Sequence, residues 1–98
     1  MIIELTAHHA PKLLEPERVD RLHAVCHGDP KEMHYDDFVQ EGPDWEHVWV
    51  DIALLRTNAL AQVDETDFPA QFDGMIAYAT KQGWLNALGT RVRAHLER

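Results

Sequence analysis

Serine is absent from this 98-residue chain, and cysteine occurs once. Without serine the commonest hydroxyl nucleophile is excluded, and no threonine has a base at a readable spacing. Cys26 has no internal partner, so the sequence points to a reducing, cytoplasmic setting rather than a disulfide scaffold. Bases are scarce as well, 9 against 17 acids for a net charge of −8. Nucleic-acid binding runs on clustered Lys and Arg, so nucleic acid is not an expected partner. No apolar run approaches the ~20 residues of a membrane helix, and MIIEL is too short and too acidic for a signal peptide. The phosphate-cradling patterns GxGxxG and GxxxxGK[ST] are missing too, and no cofactor is expected.

What is present fits one domain spanning 1–98, with an ordinary apolar fraction of 45%. Charge is unevenly spread. Residues 1–28 hold three bases and four acids, 29–73 two bases and twelve acids, and 74–98 four bases and one acid. An acidic face (Glu32, Asp36, Asp37, Glu41) and a basic face (Lys81, Arg91, Arg93) could therefore dock head to tail between copies or partners. The plainer reading is a solvated surface that keeps a small protein soluble.

The apolar spacing reads as helical almost throughout. Phe68, Phe72, Ile76 and Ala79, with Met75, share one face of a helix, and Trp84, Leu85, Leu88, Val92 and Leu96 repeat the pattern. Gly83 between them suits the left-handed position just past a helix end, with Trp84 packing back on the last turn. These two residues are the expected structural pivot. Trp45, Val48, Trp49, Ile52, Leu55, Ala59, Leu60 and Val63 predict a long central helix. Pro16 opens another that ends at Gly28 and buries Val19, Leu22, Val25 and Cys26. Asp29-Pro30-Lys31-Glu32 has the form of a capped start for a short helix ended by Gly42-Pro43. Residues 1–14 read as an arm, because Pro11 denies them a long helix and Ile2, Ile3 and Leu5 have no evident partner strand. The expected fold is all-α, a compact bundle of five to six short helices.

Histidine is the one enriched chemical side chain, with seven copies. His23 and His27, four apart, would share a helix face beside Cys26, and His8, His9 or His34 could add donors. A closed zinc site needs a second ligand pair, and neither CxxC nor HExxH occurs, so no metal is expected and His23 and His27 are merely the nearest candidates. Asp36 and Asp37 are neighbours and would point apart on a helix, which argues for solvated charge over paired catalysis. Trp45 and Trp49 could grip a ligand, though helical spacing favours a place in the core.

The stretch FDGMIAYATKQGWLNAL, with Met75-Ile76, Tyr78-Ala79, Gln82-Gly83-Trp84-Leu85 and Leu88, resembles the C-terminal signature of the bacterial effector-associated domains. The resemblance covers about a third of the chain. It implies a Death-like helical fold and a non-catalytic adaptor in bacterial defence or signalling. Such an adaptor couples an effector to a protein partner carrying a similar helical domain, with possible homo-oligomers. No catalytic residue carries over, so the chain is not expected to be an enzyme. The alternative is a small acidic inhibitor or immunity-type protein that masks a basic surface on its partner. Neither a nucleic acid nor a membrane is expected as partner.

Overall fold

The computed structural model describes residues 1–98 and is a mixed α/β fold, with one six-stranded sheet and only two α-helices. This overturns the all-α, Death-like expectation. The strands are β1 (Ile2–Leu5), β2 (Lys12–Leu14), β3 (His23–Cys26), β4 (Val39–Glu41), β5 (His47–Asp51) and β6 (Arg91–Glu97). The helices α1 (Ile52–Gln62) and α2 (Phe68–Lys81) follow one another between β5 and β6. The sheet order is β2-β1-β3-β6-β5-β4, with β1, β3 and β6 parallel and the other pairings antiparallel.

Each correction has a local cause. In Arg91–Glu97, Val92, Ala94 and Leu96 are buried and the residues between them are not. That is an alternation of two. Leu88, Val92 and Leu96 had suggested a helix because a four-residue repeat satisfies both periods. Leu88 in fact lies 84% exposed, in the turn that precedes the strand. Similarly, Leu22 and Cys26 imitated a helix face, whereas the strand buries Ala24 and Cys26. The long helix foreseen from Trp45 divides at Asp51. Val48 and Val50 are the buried positions of β5, and the helix begins only at Ile52. The N-terminal arm is an antiparallel pair, with Ile3 facing Leu13, and its parallel partner is β3, within the span expected to be the next helix.

Other local readings stand. Gly83 has φ of 76°. Its N–H donates to Thr80 O at 3.1 Å and that of Trp84 to Ala79 O at 3.0 Å, the paired bonds of a Schellman end. The helix over 68–81 forms with Pro69 in its first turn, although the Asp67 side chain makes no capping bond. Asp29 does cap, accepting from Lys31 N, but the element it caps is a single 3₁₀ turn, Pro30–Glu32. Asp51 ends β5 and caps α1 through Leu54 N at 2.9 Å, so strand passes into helix without a loop.

One face of the sheet supplies Ile3, Leu5, Leu13, Ala24, Cys26, Val39, Val48, Val50, Val92, Ala94 and Leu96 to the core. The helices add Leu55, Ala59, Phe68, Phe72 and Ala79. Helix α1 meets both β2 and β5, which are separated by three strands, so the sheet curls around it. The opposite face stays half-buried to exposed, as the burial patterns of β1, β3, β5 and β6 show.

Between the 3₁₀ turn and β4, the Tyr35 hydroxyl donates to Pro30 O at 2.6 Å. Burial, ahead of smaller repulsion from Cys26, Glu41 and Asp29, pushes that hydroxyl up to about 12. A tyrosine that ionises at higher pH when folded than when unfolded (about 10) contributes stability below pH ~10 and loses it as pH climbs toward 12. Chemical denaturation across that window should show stability falling in the parent. In Tyr35→Phe the slope should be shallower, on a baseline about 0.5–1.5 kcal/mol lower. Equal slopes would mean the hydroxyl is not held as described.

Candidate functional site

The cleft arises from how β6 shares its two edges. Strand β5 takes one edge along Arg91–His95. On the other edge β3 pairs only with His95–Glu97, while the chain leaving α2 pairs with the start of the strand. There Arg93 N donates to Trp84 O at 2.8 Å, Asn86 N donates to Arg91 O at 3.0 Å, and Leu85 bridges Val92. Between these two neighbours the pairing splits. Residues 19–22 run up to β3 on one side, and Trp84 with α2 stands on the other. The result is a cleft of about 750 Å³ lined on this strand by Val92, Arg93 and His95.

Its walls are chemically mixed. Val19, Leu22, Met75, Ile76 and Trp84 give apolar surface, and Tyr78 stands edge-on to Trp84 at 5.8 Å between ring centroids. Arg21, Arg93, His47 and His95 also line the cleft, against one acid, Asp20. That acid is already spoken for. Arg18 holds it through two bonds of 3.0 and 2.8 Å, and this hydrogen bonding brings the carboxyl down to about 2. On a chain of net charge −8 the cleft is thus locally cationic.

A second arrangement shares His47 and His95 with the cleft. His23 is in register with His95 across β3·β6, and His47 is in register with His95 across β5·β6. Residues directly opposite in a sheet project to the same side, so three imidazoles stand in a row on the open face. The His47 and His95 rings meet edge-on at 5.6 Å. Nδ1 of His47 lies 3.0 Å from Asp44 Oδ2, and that bond first, with backbone donors from Glu46 and His47 after it, holds the Asp44 carboxyl below its usual range. Nε2 of His23 lies 3.7 Å from Glu97 Oε2.

The foreseen site residues are dispersed. His27 leaves His23 and pairs with Glu4 at 3.2 Å, because a strand carries residues four apart well away from each other. Asp36 is spent locally, its carboxylate accepting from Phe38 N and Val39 N. Asp37, Glu32 and Glu41 are exposed, as is Lys81 at the end of α2. Arg91 is largely covered and donates to Asp37 O at 3.2 Å, with Asp51 3.9 Å away. It therefore joins the acidic and basic segments within one molecule rather than between two. Arg93 alone of the basic set reaches the cleft. Neither Trp45 nor Trp49 is in the core: Trp45 occupies the β4–β5 turn with φ of 57°, and Trp49 sits half-buried opposite Arg93. Arg21, His47, Gln71 and His95 escaped the sequence reading. Counting 47–51 and 91–97 in twos would have put His47 and His95 on strand faces, but not beside each other.

No family model matches the chain, and comparison with curated proteins and with solved structures likewise gives no match. No helix is long and apolar enough to cross a membrane.

Proposed function

We propose that the protein is a non-catalytic interaction module that recruits a partner protein by seating an acidic peptide segment, anchored by an apolar or aromatic side chain, in the cleft. The observation that carries this reading is the reversal of sign. Arg21 and Arg93 have no ion-pair partner within the chain, and they flank apolar walls on a protein whose surface is otherwise acidic. The volume lies within the usual range for sites that enclose a ligand group, roughly 300–1,000 Å³. An acidic segment gains attraction at the cleft and is repelled elsewhere, which fixes where it lands. Like-with-like association of helical bundles falls away with the bundle, so the partner need not share this fold. A free, buried Cys26 is consistent with the cytoplasm as the working compartment.

Selection of a phage-displayed random dodecapeptide library on the immobilised protein tests the reading. The expected result is enrichment of Asp or Glu beside an aromatic or aliphatic residue. A synthetic consensus peptide should lose about tenfold or more in affinity to Arg93→Glu, the scale of a hydrogen bond to a charged group at about 1.5–3 kcal/mol. It should also weaken as salt shortens the screening length. A selection without acidic enrichment, or an Arg93→Glu protein that binds the consensus as tightly, would overturn it.

A further inference from the structure

We propose that the occupant of the cleft is the β4–β5 turn of a second copy of this chain, Glu41 to Glu46, with Trp45 as the anchor, the two copies exchanging turns about a two-fold axis. The inference rests on the reading of the cleft as an acceptor for acidic segments with an aromatic or apolar anchor, and it names the partner. The chain carries such a segment itself. No Lys or Arg occurs between Lys31 and Arg56, and Glu41-Gly42-Pro43-Asp44-Trp45-Glu46 sets an aromatic ring between acids. Glu41 and Glu46 are exposed and have no ion-pair partner within the chain, which is equally true of Arg21 and Arg93 in the cleft. The other acidic segments fit less well. Asp64, Glu65 and Asp67 lead into Phe68, which is 1% exposed and cannot serve as an anchor. Glu15 and Glu17 follow the exposed Leu14, but Lys12, Arg18 and Arg21 on the same stretch offset their charge.

The turn is built to hold its shape. A bulky residue at positive φ is an outlier that its surroundings must impose, and Trp45 has φ of 57°. The Asp44 carboxylate accepts from Glu46 N at 3.0 Å and His47 N at 3.1 Å, and Gly42 N donates to His47 O at 3.1 Å. Asp44 is thus spent within the turn, which leaves Glu41 and Glu46 as the acids to present. The Trp45 ring stays half-buried and outside the core, so its side chain is free to enter a partner. Placement makes the exchange reciprocal. Glu46 O accepts from Leu96 N at 2.8 Å, and the next residue, His47, lines the cleft. Turn and cleft therefore stand side by side on one molecule. A patch made of both is self-complementary under a two-fold rotation, the arrangement that closes as a dimer. The net charge of −8 opposes approach in other orientations.

Sedimentation velocity of the full chain over a concentration series, at low and at high salt, decides the matter. The parent should show a reversible monomer–dimer equilibrium that moves toward monomer as salt is added. Trp45→Gly removes the anchor and leaves a residue that accepts positive φ, so it should melt no lower than the parent while its dimer weakens by about tenfold or more. Arg93→Glu should weaken the dimer to a similar extent. At a concentration where each variant alone is monomeric, their mixture should form a heterodimer through the one intact turn and the one intact cleft. Trp45→Gly should still bind the selected consensus peptide as the parent does. A parent that stays monomeric yet binds that peptide would overturn the second copy as occupant and leave the peptide reading standing. A dimer that Trp45→Gly leaves intact, or growth past the dimer, would overturn the exchange. A dimer dispersed by both substitutions, with no acidic enrichment in the peptide selection, would uphold the exchange and overturn only the linear-peptide reading.

Discussion

Phe72→Ala should be among the most destabilising single substitutions in the chain, costing about 3–5 kcal/mol. Phe72 and Phe68 are the largest fully buried side chains, and Phe72 lies on the side of α2 turned into the shared core. Removing its ring takes away the transfer energy of the deleted carbons and leaves a cavity that a close-packed interior only partly closes. For a domain of this size each kcal/mol shifts the midpoint by roughly 4–8 °C, so a melt should move by about 12 °C or more. The control is Tyr78→Ala on the same helix. Tyr78 is 57% exposed and stands edge-on to Trp84. An aromatic pair of that kind is worth about 0.5–1.5 kcal/mol, which bounds the loss. Similar shifts for the two variants would mean that α2 is rotated relative to this description, and with it the cleft wall.

A pair of glycine substitutions should act with opposite signs. At Gly42 a Cβ would run into the backbone carbonyl of His47, the same oxygen that accepts the Gly42 N–H at 3.1 Å. Backbone cannot swing aside as a side chain can. Gly42→Ala must therefore open the β4–β5 turn, and overpacking of this kind costs about 1–3 kcal/mol. The effect reaches the site, because His47 is the first residue of β5 and one end of the histidine row. At Gly74, within α2, an added Cβ meets nothing within 4 Å. Replacing a helix-interior glycine by alanine there should stabilise by about 0.5–1 kcal/mol. Denaturant titrations of both variants give the test. A neutral Gly42→Ala would show that the turn is wider than described, and a destabilising Gly74→Ala would show that the space beside α2 is filled.

What could be read from the residues depended on whether neighbours in sequence decided the conformation. Helix α2 and its end were legible, because Ala79, three residues after Ile76, breaks the alternation of two that Phe68, Phe72 and Ile76 alone would allow, and Gly83 marks a left-handed stop. Asp29-Pro30 was legible as a cap. The strands were not, since His23–Cys26 and Lys12–Leu14 are too short for their own pattern to separate two periods, and Val92 and Leu96 satisfy both. Their identity comes from pairing with residues tens of positions away: β1 with β3, and β3 with β6 across about seventy residues. The site was hidden for the same reason. His23, His47 and His95 form no pattern along the chain, and only the register places them side by side. Arg91 misled in a related way, since its charge suggested a surface contact while its partners, Asp37 and Asp51, lie in the same molecule.

The split edge of β6 carries both the cleft and the histidine row, and an amide-resolved NOESY spectrum of the isotopically labelled protein tests it most directly. Strand-type contacts should run from Arg91–His95 to His47–Asp51 on one side. On the other they should run from Arg93 to Trp84 and from His95–Glu97 to His23–Val25. Sequential amide contacts of helical type should end at Lys81. A continuous series of such helical contacts through 84–96, with no cross-strand contact from His95 to either His23 or His47, would contradict the account.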